Sequence, residues 1–418
     1  MTLGGKTTLC AECKGVRRLC GRPRCPILQR VIESLRAGPQ LSKSILPAAT
    51  PPSVFVGEWG YPLVRLGPVA TPITGDGAKR YEDYPRWWGK LSIEDIIRLR
   101  ARTIYSRFPL IVSRARRPAS DRLLEATREA ALSLKPVDAE FTFKKPPRPA
   151  TAFDGVLAPV GLTGLLRKLE VVENPVVPRR VDQVVGDVDV KARTAILELY
   201  KAGVDAYYIT RLFSLGMLGE RRLRRIVPTR WSITAVDKAV GDALLAEILD
   251  KMEYSRIEVY RSEYIGNRYL LVFIPGPWSF EMIEIWQPRS VWVKSQQPHI
   301  IVNYELRDGR WRRPGVDGGY HAIRMPVLEF LHRKARQATV ITIREITPAY
   351  YAPVGSWQIR ESIRNALRER PLVLDSLREF LKVIPSFIKT PVNLILSKSI
   401  LLRQLLETVR LDNYIGGD

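Results

Sequence analysis

The sequence contains few of the residues on which common catalytic and metal chemistries depend. It has only three histidines, His299, His321 and His332, so a site that needs several histidine ligands is not expected. The separation of eleven positions between the last two matches no common zinc pair. There is also no P-loop, no dinucleotide-binding glycine fingerprint, and no Ser-His-Asp pattern with a usable histidine. These absences leave the chain without a familiar enzyme signature.

Long apolar runs are also absent. No segment approaches the roughly 18 to 20 uninterrupted apolar residues that a membrane helix needs, and the first ten residues, MTLGGKTTLC, lack the apolar core of a secretory signal. We therefore expect a cytoplasmic protein that does not enter the membrane. Its 418 residues are long for one core, and 45% of them are apolar, so we expect two or three domains with buried interiors.

Acidic residues are too few to balance the basic ones. The chain has 66 Lys and Arg against 43 Asp and Glu, which leaves a formal net charge of +23. A charge of this size attracts phosphate polymers and speeds encounter with them. Nucleic acid or a nucleic-acid-bound partner is predicted, while a general bias toward basic surfaces and a location at a membrane surface are the alternatives.

Two basic runs carry an aromatic residue beside their arginines. We predict that they bind nucleic acid, because guanidinium groups contact phosphates bidentately and an indole can stack on a base. The alternative is a solvated basic face beside a buried tryptophan. The predicted residues are Arg221, Arg222, Arg224, Arg225, Arg230 and Trp231 in the first run, and Arg310, Arg312 and Arg313 in the second.

All four cysteines lie near the start of the chain, with the spacing C-x2-C-x6-C-x4-C: Cys10, Cys13, Cys20 and Cys25. Disulfides need an oxidising compartment, and nothing in the sequence targets one. Four thiolates suit tetrahedral Zn²⁺, and C-x2-C is the short knuckle that supplies two of them from one turn. We predict a structural zinc module; a redox or iron–sulfur role and plain packing are the alternatives.

The periodicity predicts an α+β protein with a small N-terminal Cys₄ zinc module. Residues 255–346 contain short β-branched and aromatic runs between turns, which predict a largely antiparallel sheet in the second half. The body before it mixes helices and strands, and the C-terminus is predicted to be helical. Strands are expected to cluster in the second half of the chain, and residues 141–178, rich in proline and glycine, are predicted to be the most loop-like part of the interior. A helix is expected to begin at Ser92, where Ser92-x-x-Asp95 is a weak capping box, and to extend to Ile104. The predicted divisions are 1–38 (zinc-binding module), 39–175 and 176–390 (the two parts of the core), and 391–418 (C-terminal helix and tail).

Catalytic residues are harder to find. Asp138 and Glu140 would share one face of a strand and could hold Mg²⁺ or Mn²⁺ in a nuclease. The alternative is an acid pair that neutralises nearby arginines. A Pro/Gly turn between two later elements could instead line a small pocket or cap a core. Its candidate pocket residues are Glu345, Trp357, Gln358 and Arg360.

Several stretches, among them VPTRWSITAVD and PVGSWQIRE, together with the N-terminal cysteine spacing, resemble in order the archaeal Nre DNA-repair family (NreA-type). The resemblance spans nearly the whole chain. It implies an archaeal protein of DNA repair, a zinc-finger-like N-terminal module and a partnership with the sliding clamp (PCNA). It implies no catalytic mechanism.

The resemblance also implies a clamp-binding peptide at the C-terminus, of the form Gln-x-x-aliphatic-x-x-aromatic-aromatic. Leu411, Tyr414 and Ile415 occupy the aliphatic and the two aromatic positions, but Thr408 replaces Gln and Ile415 replaces an aromatic residue. Without the Gln and the second aromatic side chain, we expect the peptide to bind the clamp less tightly. We therefore expect a DNA-repair protein that binds DNA and carries a degenerate clamp peptide. A metal-dependent nuclease or nucleotide-processing hydrolase and a pure adaptor are the alternatives.

Overall fold

The computed structural model describes residues 25, 32–33, 43–117, 121–149, 161–290, 293, 296–310, 312 and 317–407. They belong to two compact units that divide between Val240 and Gly241. The boundary predicted after residue 175 falls inside the first unit, in the loop that follows its last strand.

The first unit contains a seven-stranded sheet. Its strands are β1 (Ile45–Thr50), β2 (Val54–Val56), β3 (Leu63–Ala70), β4 (Ile104–Ile111), β5 (Val137–Phe143), β6 (Arg148–Pro149) and β7 (Leu162–Val171). Their order is β1-β5-β7-β4-β3-β2, with β6 beside β7. Only β4 and β7 pair in parallel. Ala49 in β1 exchanges backbone hydrogen bonds with Thr71 and Ile73, so the sheet curls back toward the end of β3.

This sheet corrects the prediction that the strands cluster in the second half of the chain. The strand β7 lies in a region that the sequence predicted to be loop-like, because proline and glycine on both sides obscure its alternation. Along β5 buried and half-buried residues alternate strictly, as a strand with one covered face requires.

Helices surround the sheet of the first unit. They are α1 (Tyr84–Trp87), α2 (Ile93–Ala101), α3 (Arg122–Leu132), α4 (Arg179–Gly186), α5 (Ala192–Lys201), α6 (Ala206–Ser214) and the first part of α7 (Thr229–Ile248). Three 3₁₀ turns cover Asp76–Tyr81, Val112–Arg116 and Arg221–Leu223. The predicted start of α2 is confirmed, because Ser92 and Asp95 form a reciprocal capping box. The predicted extension to Ile104 is wrong, since Ile104 pairs with Ala70 and begins β4.

The second unit contains the predicted sheet of the C-terminal half. Its strands are β8 (Ile257–Tyr264), β9 (Asn267–Ile274), β10 (Ser279–Trp286), β11 (His299–Glu305), β12 (Thr339–Ile346) and β13 (Leu372–Leu374), in the order β11-β10-β12-β9-β8-β13. Its helices are α8 (Asp317–Lys334), α9 (Trp357–Ala366), α10 (Leu377–Phe387) and α11 (Val392–Lys398), and residues 401–407 are also helical. Only β10 and β12 pair in parallel, so the sheet is largely antiparallel.

One face of this sheet is apolar and packs against helices. Alternate residues of β8, β9, β10 and β12 form an apolar cluster with α10 and α11, which includes Ile283, Ile343 and Phe380. Two buried glutamates interrupt this apolar face. Glu281 accepts hydrogen bonds from the backbone N–H of Ile400 (2.7 Å) and Leu401 (3.3 Å), where the last helical segment begins. A carboxylate at the start of a helix satisfies free N–H groups and the helix dipole.

Glu345 has a similar role. Its oxygens accept from the backbone N–H of Lys389 (3.0 Å) and Thr390 (2.9 Å), in the segment that leads into α11. The side chain is fully buried, so this predicted pocket residue binds the protein's own backbone. Within the described ranges no single helix has the length and apolar composition to cross a membrane, although α10 and α11 together, with a bend of 120° between them, meet both criteria.

Candidate nucleic-acid interface

Three segments of the first unit meet at one place: the β2–β3 loop (Gly57–Pro62), the 3₁₀ turn Val112–Arg116, and the segment from Glu220 to Trp231. Hydrogen bonds join them in pairs. The N–H of Val112 donates to the carbonyl of Pro62, and the N–H of Ile226 donates to the carbonyl of Val112, both at 3.0 Å. The N–H of Val56 donates to the hydroxyl of Thr229 at 2.9 Å. Segments distant in sequence therefore present one joint surface.

A buried arginine fixes the base of this surface. The Arg128 guanidinium in α3 donates to the carbonyls of Ala115 (3.2 Å), Leu215 (2.7 Å) and Gly216 (3.1 Å). Burial lowers the pKa of Arg128 to about 10. Gly216 has a φ of 61°, and a Cβ there would lie 2.5 Å from the carbonyl oxygen of Arg225, so the close approach requires glycine.

Not every arginine of the predicted run is available to a ligand. Arg224 is half-buried. It donates to the carbonyls of Gly219 (2.7 Å), Val185 (3.1 Å) and Asp187 (2.9 Å). Its guanidinium therefore holds the loop in place.

The remaining charges of this region face solvent. We call the following set of exposed residues the basic–aromatic surface: Trp59, Tyr61, Arg114, Arg117, Arg221, Arg222, Arg225, Arg230 and Trp231. Among the described residues, two acids form ion pairs with this surface. Glu220 pairs with Arg222 at 3.0 Å, and Glu58 pairs with Arg230 at 3.4 Å. Six arginines against two acids leave this surface positive.

The aromatic side chains of the surface are unusually open to solvent. Trp59 is 75% exposed, Trp231 45% and Tyr61 41%. The rings of Tyr61 and Trp231 lie 5.2 Å apart with a tilt of 45°. The Trp231 indole N–H donates to Glu58 Oε2 at 3.1 Å. Glu58 therefore orients the indole while it also pairs with Arg230.

The sequence prediction found one part of this surface and missed the rest. The predicted Arg221, Arg222, Arg225, Arg230 and Trp231 do lie together. Five further residues come from elsewhere in the chain: Glu58, Trp59, Tyr61, Arg114 and Arg117. The signals for them were VGEWGYPL, which places aromatic residues in a glycine turn, and the basic run VSRARR.

The second predicted basic run lies in the second unit, after β11. Asp308 accepts from Arg312 at 2.7 Å and from the backbone N–H of Arg310 at 3.0 Å. The hydrogen bond from Arg312 and then that from Arg310 lower the pKa of Asp308 to about 2. The charge of Arg312 is therefore balanced within its own turn. Arg313 lies outside the described residues.

The three other predicted pocket residues occupy the first turn of α9, where all are buried: Trp357, Gln358 and Arg360. Gln358 Oε1 accepts from the Tyr269 hydroxyl at 2.9 Å. The Trp357 indole N–H donates to the carbonyl of Val354 at 2.6 Å. These contacts favour the alternative interpretation of the motif, a capped core.

The candidate catalytic acids share one face of β5, as the alternation predicted. Asp138 Oδ1 accepts from the backbone N–H of Gly75 at 2.7 Å. Glu140 lies opposite Glu170 of β7. In the part of the chain that the structure describes, no group of three or more His, Cys, Asp or Glu side chains is placed to hold a metal ion.

Two predicted sites fall largely outside the described residues. Of the four cysteines only Cys25 is described, and it is half-buried with a free thiol; Cys10, Cys13 and Cys20 are not. The clamp-peptide residues Leu411, Tyr414 and Ile415 follow the last described residue, Glu407. Both sites stay predictions from the sequence.

The sequence matches the family described as "Archaeal Nre, N-terminal" over residues 19–293 and that described as "Archaeal Nre, C-terminal" over residues 305–414. It is 38% identical over 374 residues to "DNA repair protein NreA" of Archaeoglobus fulgidus, covering 89% of this chain and 92% of the relative.

Two further relatives agree with that match. "DNA repair protein NreB" of Archaeoglobus fulgidus is 34% identical over 395 residues, which cover 94% of this chain and 97% of the relative. "DNA repair protein NreA" of Haloferax volcanii is 36% identical over 347 residues, which cover 80% and 82%. No solved structure matches this chain.

Proposed function

Because this chain belongs to the archaeal Nre family, we propose that it is a DNA-repair protein that binds DNA through the basic–aromatic surface of its first unit. The repair role is supported by the names of relatives that span most of both chains. The site is supported by the structure, as follows.

One observation carries the proposal: exposed arginines from two sequence-distant segments meet exposed aromatic rings, two of them from a third segment, the β2–β3 loop, and one, Trp231, from the segment Glu220 to Trp231. Arginine binds phosphate bidentately, and an aromatic ring offers a stacking face to any base. A basic face needed only for solubility would have no reason to expose Trp59, Tyr61 and Trp231 beside its arginines, because exposed aromatic area is unfavourable in water.

Salt dependence of DNA binding tests this proposal. The full chain is titrated against labelled duplex DNA between 50 and 200 mM salt. The variant Arg221→Ala/Arg222→Ala removes two phosphate contacts, so the slope of log K against log salt should become shallower by about 1.8. The matched control is Lys144→Ala/Lys145→Ala, which removes two exposed cations at the end of β5, away from the β2–β3 edge of the sheet. Equal slopes for the two double variants would refute the site.

A structural zinc ion at the N-terminus is also part of the proposal. The support is the donor set, four thiols with the C-x2-C spacing of a knuckle. Thiolates of Cys10, Cys13, Cys20 and Cys25 would hold the ion and fold the segment around it. Elemental analysis should find one zinc per chain and lose it in the variant Cys10→Ser/Cys13→Ser.

The sliding clamp (PCNA) is the proposed second partner, through Leu411, Tyr414 and Ile415. Since the tail lacks Gln and the second aromatic residue of the family peptide, we expect weak binding. A chain that ends at Arg410 should no longer be retained on immobilised clamp. Undiminished retention of that truncated chain would place the contact elsewhere.

A further inference from the structure

We infer that the basic–aromatic surface takes unpaired DNA, with bases stacked on Tyr61 and Trp231 and phosphates held by the arginines around them. The inference rests on the proposed DNA binding and narrows its substrate to single-stranded or locally unpaired DNA.

The first argument is the chemistry of the exposed area. A duplex turns its phosphates outward and keeps its base faces stacked inside, so exposed rings gain little from it. The apolar area also extends past the rings. Leu63 and Ile111, which face each other in β3 and β4, are 51% and 50% exposed. An aromatic and aliphatic patch of this kind matches base faces, which only unpaired nucleotides present.

The second argument is the distribution of charge. Glu58 lies beside the Trp231 ring: its Oε2 accepts from the Trp231 indole, and its Oε1 pairs with Arg230. A carboxylate there repels phosphate. The positive charge lies instead on the neighbouring segment, at the exposed Arg221 and Arg225, while Arg222 beside them pairs with Glu220. This pattern suits a strand whose bases point toward the rings while its phosphates run along the arginines.

The third argument is that the rings are held in place before any ligand arrives. Gly60 has a φ of 84°, and a Cβ on it would lie 2.8 Å from the carbonyl oxygen of Leu63. The Leu63 N–H closes the loop by donating to the carbonyl of Gly60 at 2.9 Å. Glu58 then fixes the direction of the indole. A pre-organised stacking platform loses little conformational entropy on binding.

The test compares a fluorescein-labelled 20-mer of thymidine with a labelled duplex of 20 base pairs, both bound by the full chain. Because two bases can stack on the rings, the Kd for single-stranded DNA should be at least about tenfold lower than that for the duplex. Trp231→Ala should weaken single-strand binding by about 5- to 150-fold and duplex binding by less than about twofold. Trp231→Phe should weaken single-strand binding by less than Trp231→Ala does, because a phenyl ring still stacks on a base. Leu165→Ala, which removes a similarly exposed apolar side chain from β7, is the matched control.

Thermal melting checks that each variant folds. If Trp231→Ala does not fold, Tyr61→Ala and Trp231→Phe replace it, since both leave the start of α7 intact. A duplex preference, or equal losses on both DNAs, would overturn the inference and leave the proposed DNA binding standing. If neither DNA binds, both the inference and the proposed DNA binding are overturned.

Discussion

Arg344 of β12 joins three strands of the second sheet through one buried guanidinium. Its Nη1 donates to Glu284 Oε2 of β10 at 2.6 Å. Its Nε and Nη2 donate to Asn267 Oδ1 of β9 at 3.2 and 2.8 Å. Burial alone would lower the pKa of Arg344, but the neighbouring Tyr269 and Glu284 outweigh it and raise the pKa. Arg344 is therefore charged in the fold.

The variant Arg344→Met removes that charge and keeps the volume. Breaking a buried ion pair costs about 3 to 5 kcal/mol, mostly because the remaining charge loses its partner. Here Glu284 keeps one donor, the Trp286 indole at 2.8 Å. We therefore expect the lower end, about 3 kcal/mol. Adding Glu284→Gln removes the orphaned charge and should restore about 2 kcal/mol of that loss.

The assay is amide hydrogen exchange of β9 and β12 in the native protein. A local readout is needed because two compact units need not unfold in one transition. A loss of 3 kcal/mol accelerates exchange through global opening by about 150-fold. Wild-type exchange in Arg344→Met, or a double variant as unstable as the sum of the single ones, would refute the reasoning.

Three smaller predictions follow from the same contacts. Ser92→Ala should destabilise α2 by about 1 kcal/mol at pH 7. The Ser92 hydroxyl lowers the pKa of Asp95 below 3.8, so the part of this stabilisation that depends on the Asp95 carboxylate exists above that value and is lost as the pH falls through the folded pKa. The difference in melting temperature between the two proteins should therefore shrink in acid, while the hydrogen bond from the Asp95 backbone N–H to Ser92 Oγ keeps part of it. Glu281→Ala should lower the free energy of unfolding by about 1 to 3 kcal/mol, because two buried backbone N–H groups lose their acceptor, and exchange at Leu401 should accelerate. Gly216→Ala should lower the melting temperature and weaken DNA binding, since its Cβ would displace the loop that carries Arg225 and its neighbours.

The sequence predicts the elements whose signals are local. The helix start at Ser92 and the runs of β8 to β12 both stand in the structure where their patterns indicate. Each depends on residues within a few positions of one another. The strand β7 was missed because its pairing partners, β4 and β5, are distant in sequence and its flanks are rich in proline and glycine.

In the candidate site, too, the sequence predicts only what depends on neighbouring residues. The run from Arg221 to Trp231 is visible as a cluster of charge, but its role in the fold is not. The sequence does not show that the Arg224 guanidinium donates hydrogen bonds to backbone carbonyls whereas Arg225 faces solvent. Nor can it bring Glu58 to Trp231 across 173 positions. Such contacts come from strand pairing and loop closure, which no local pattern encodes.

Photochemical cross-linking tests most directly whether this surface binds DNA. The full chain is irradiated with DNA that carries bromodeoxyuridine, digested, and the cross-linked peptides are identified by mass spectrometry. We predict cross-links in Gly57–Pro62 and at Trp231. The cross-link at position 231 should be absent from Trp231→Ala. Cross-links confined to other segments, with none in these two, would contradict the proposed interface.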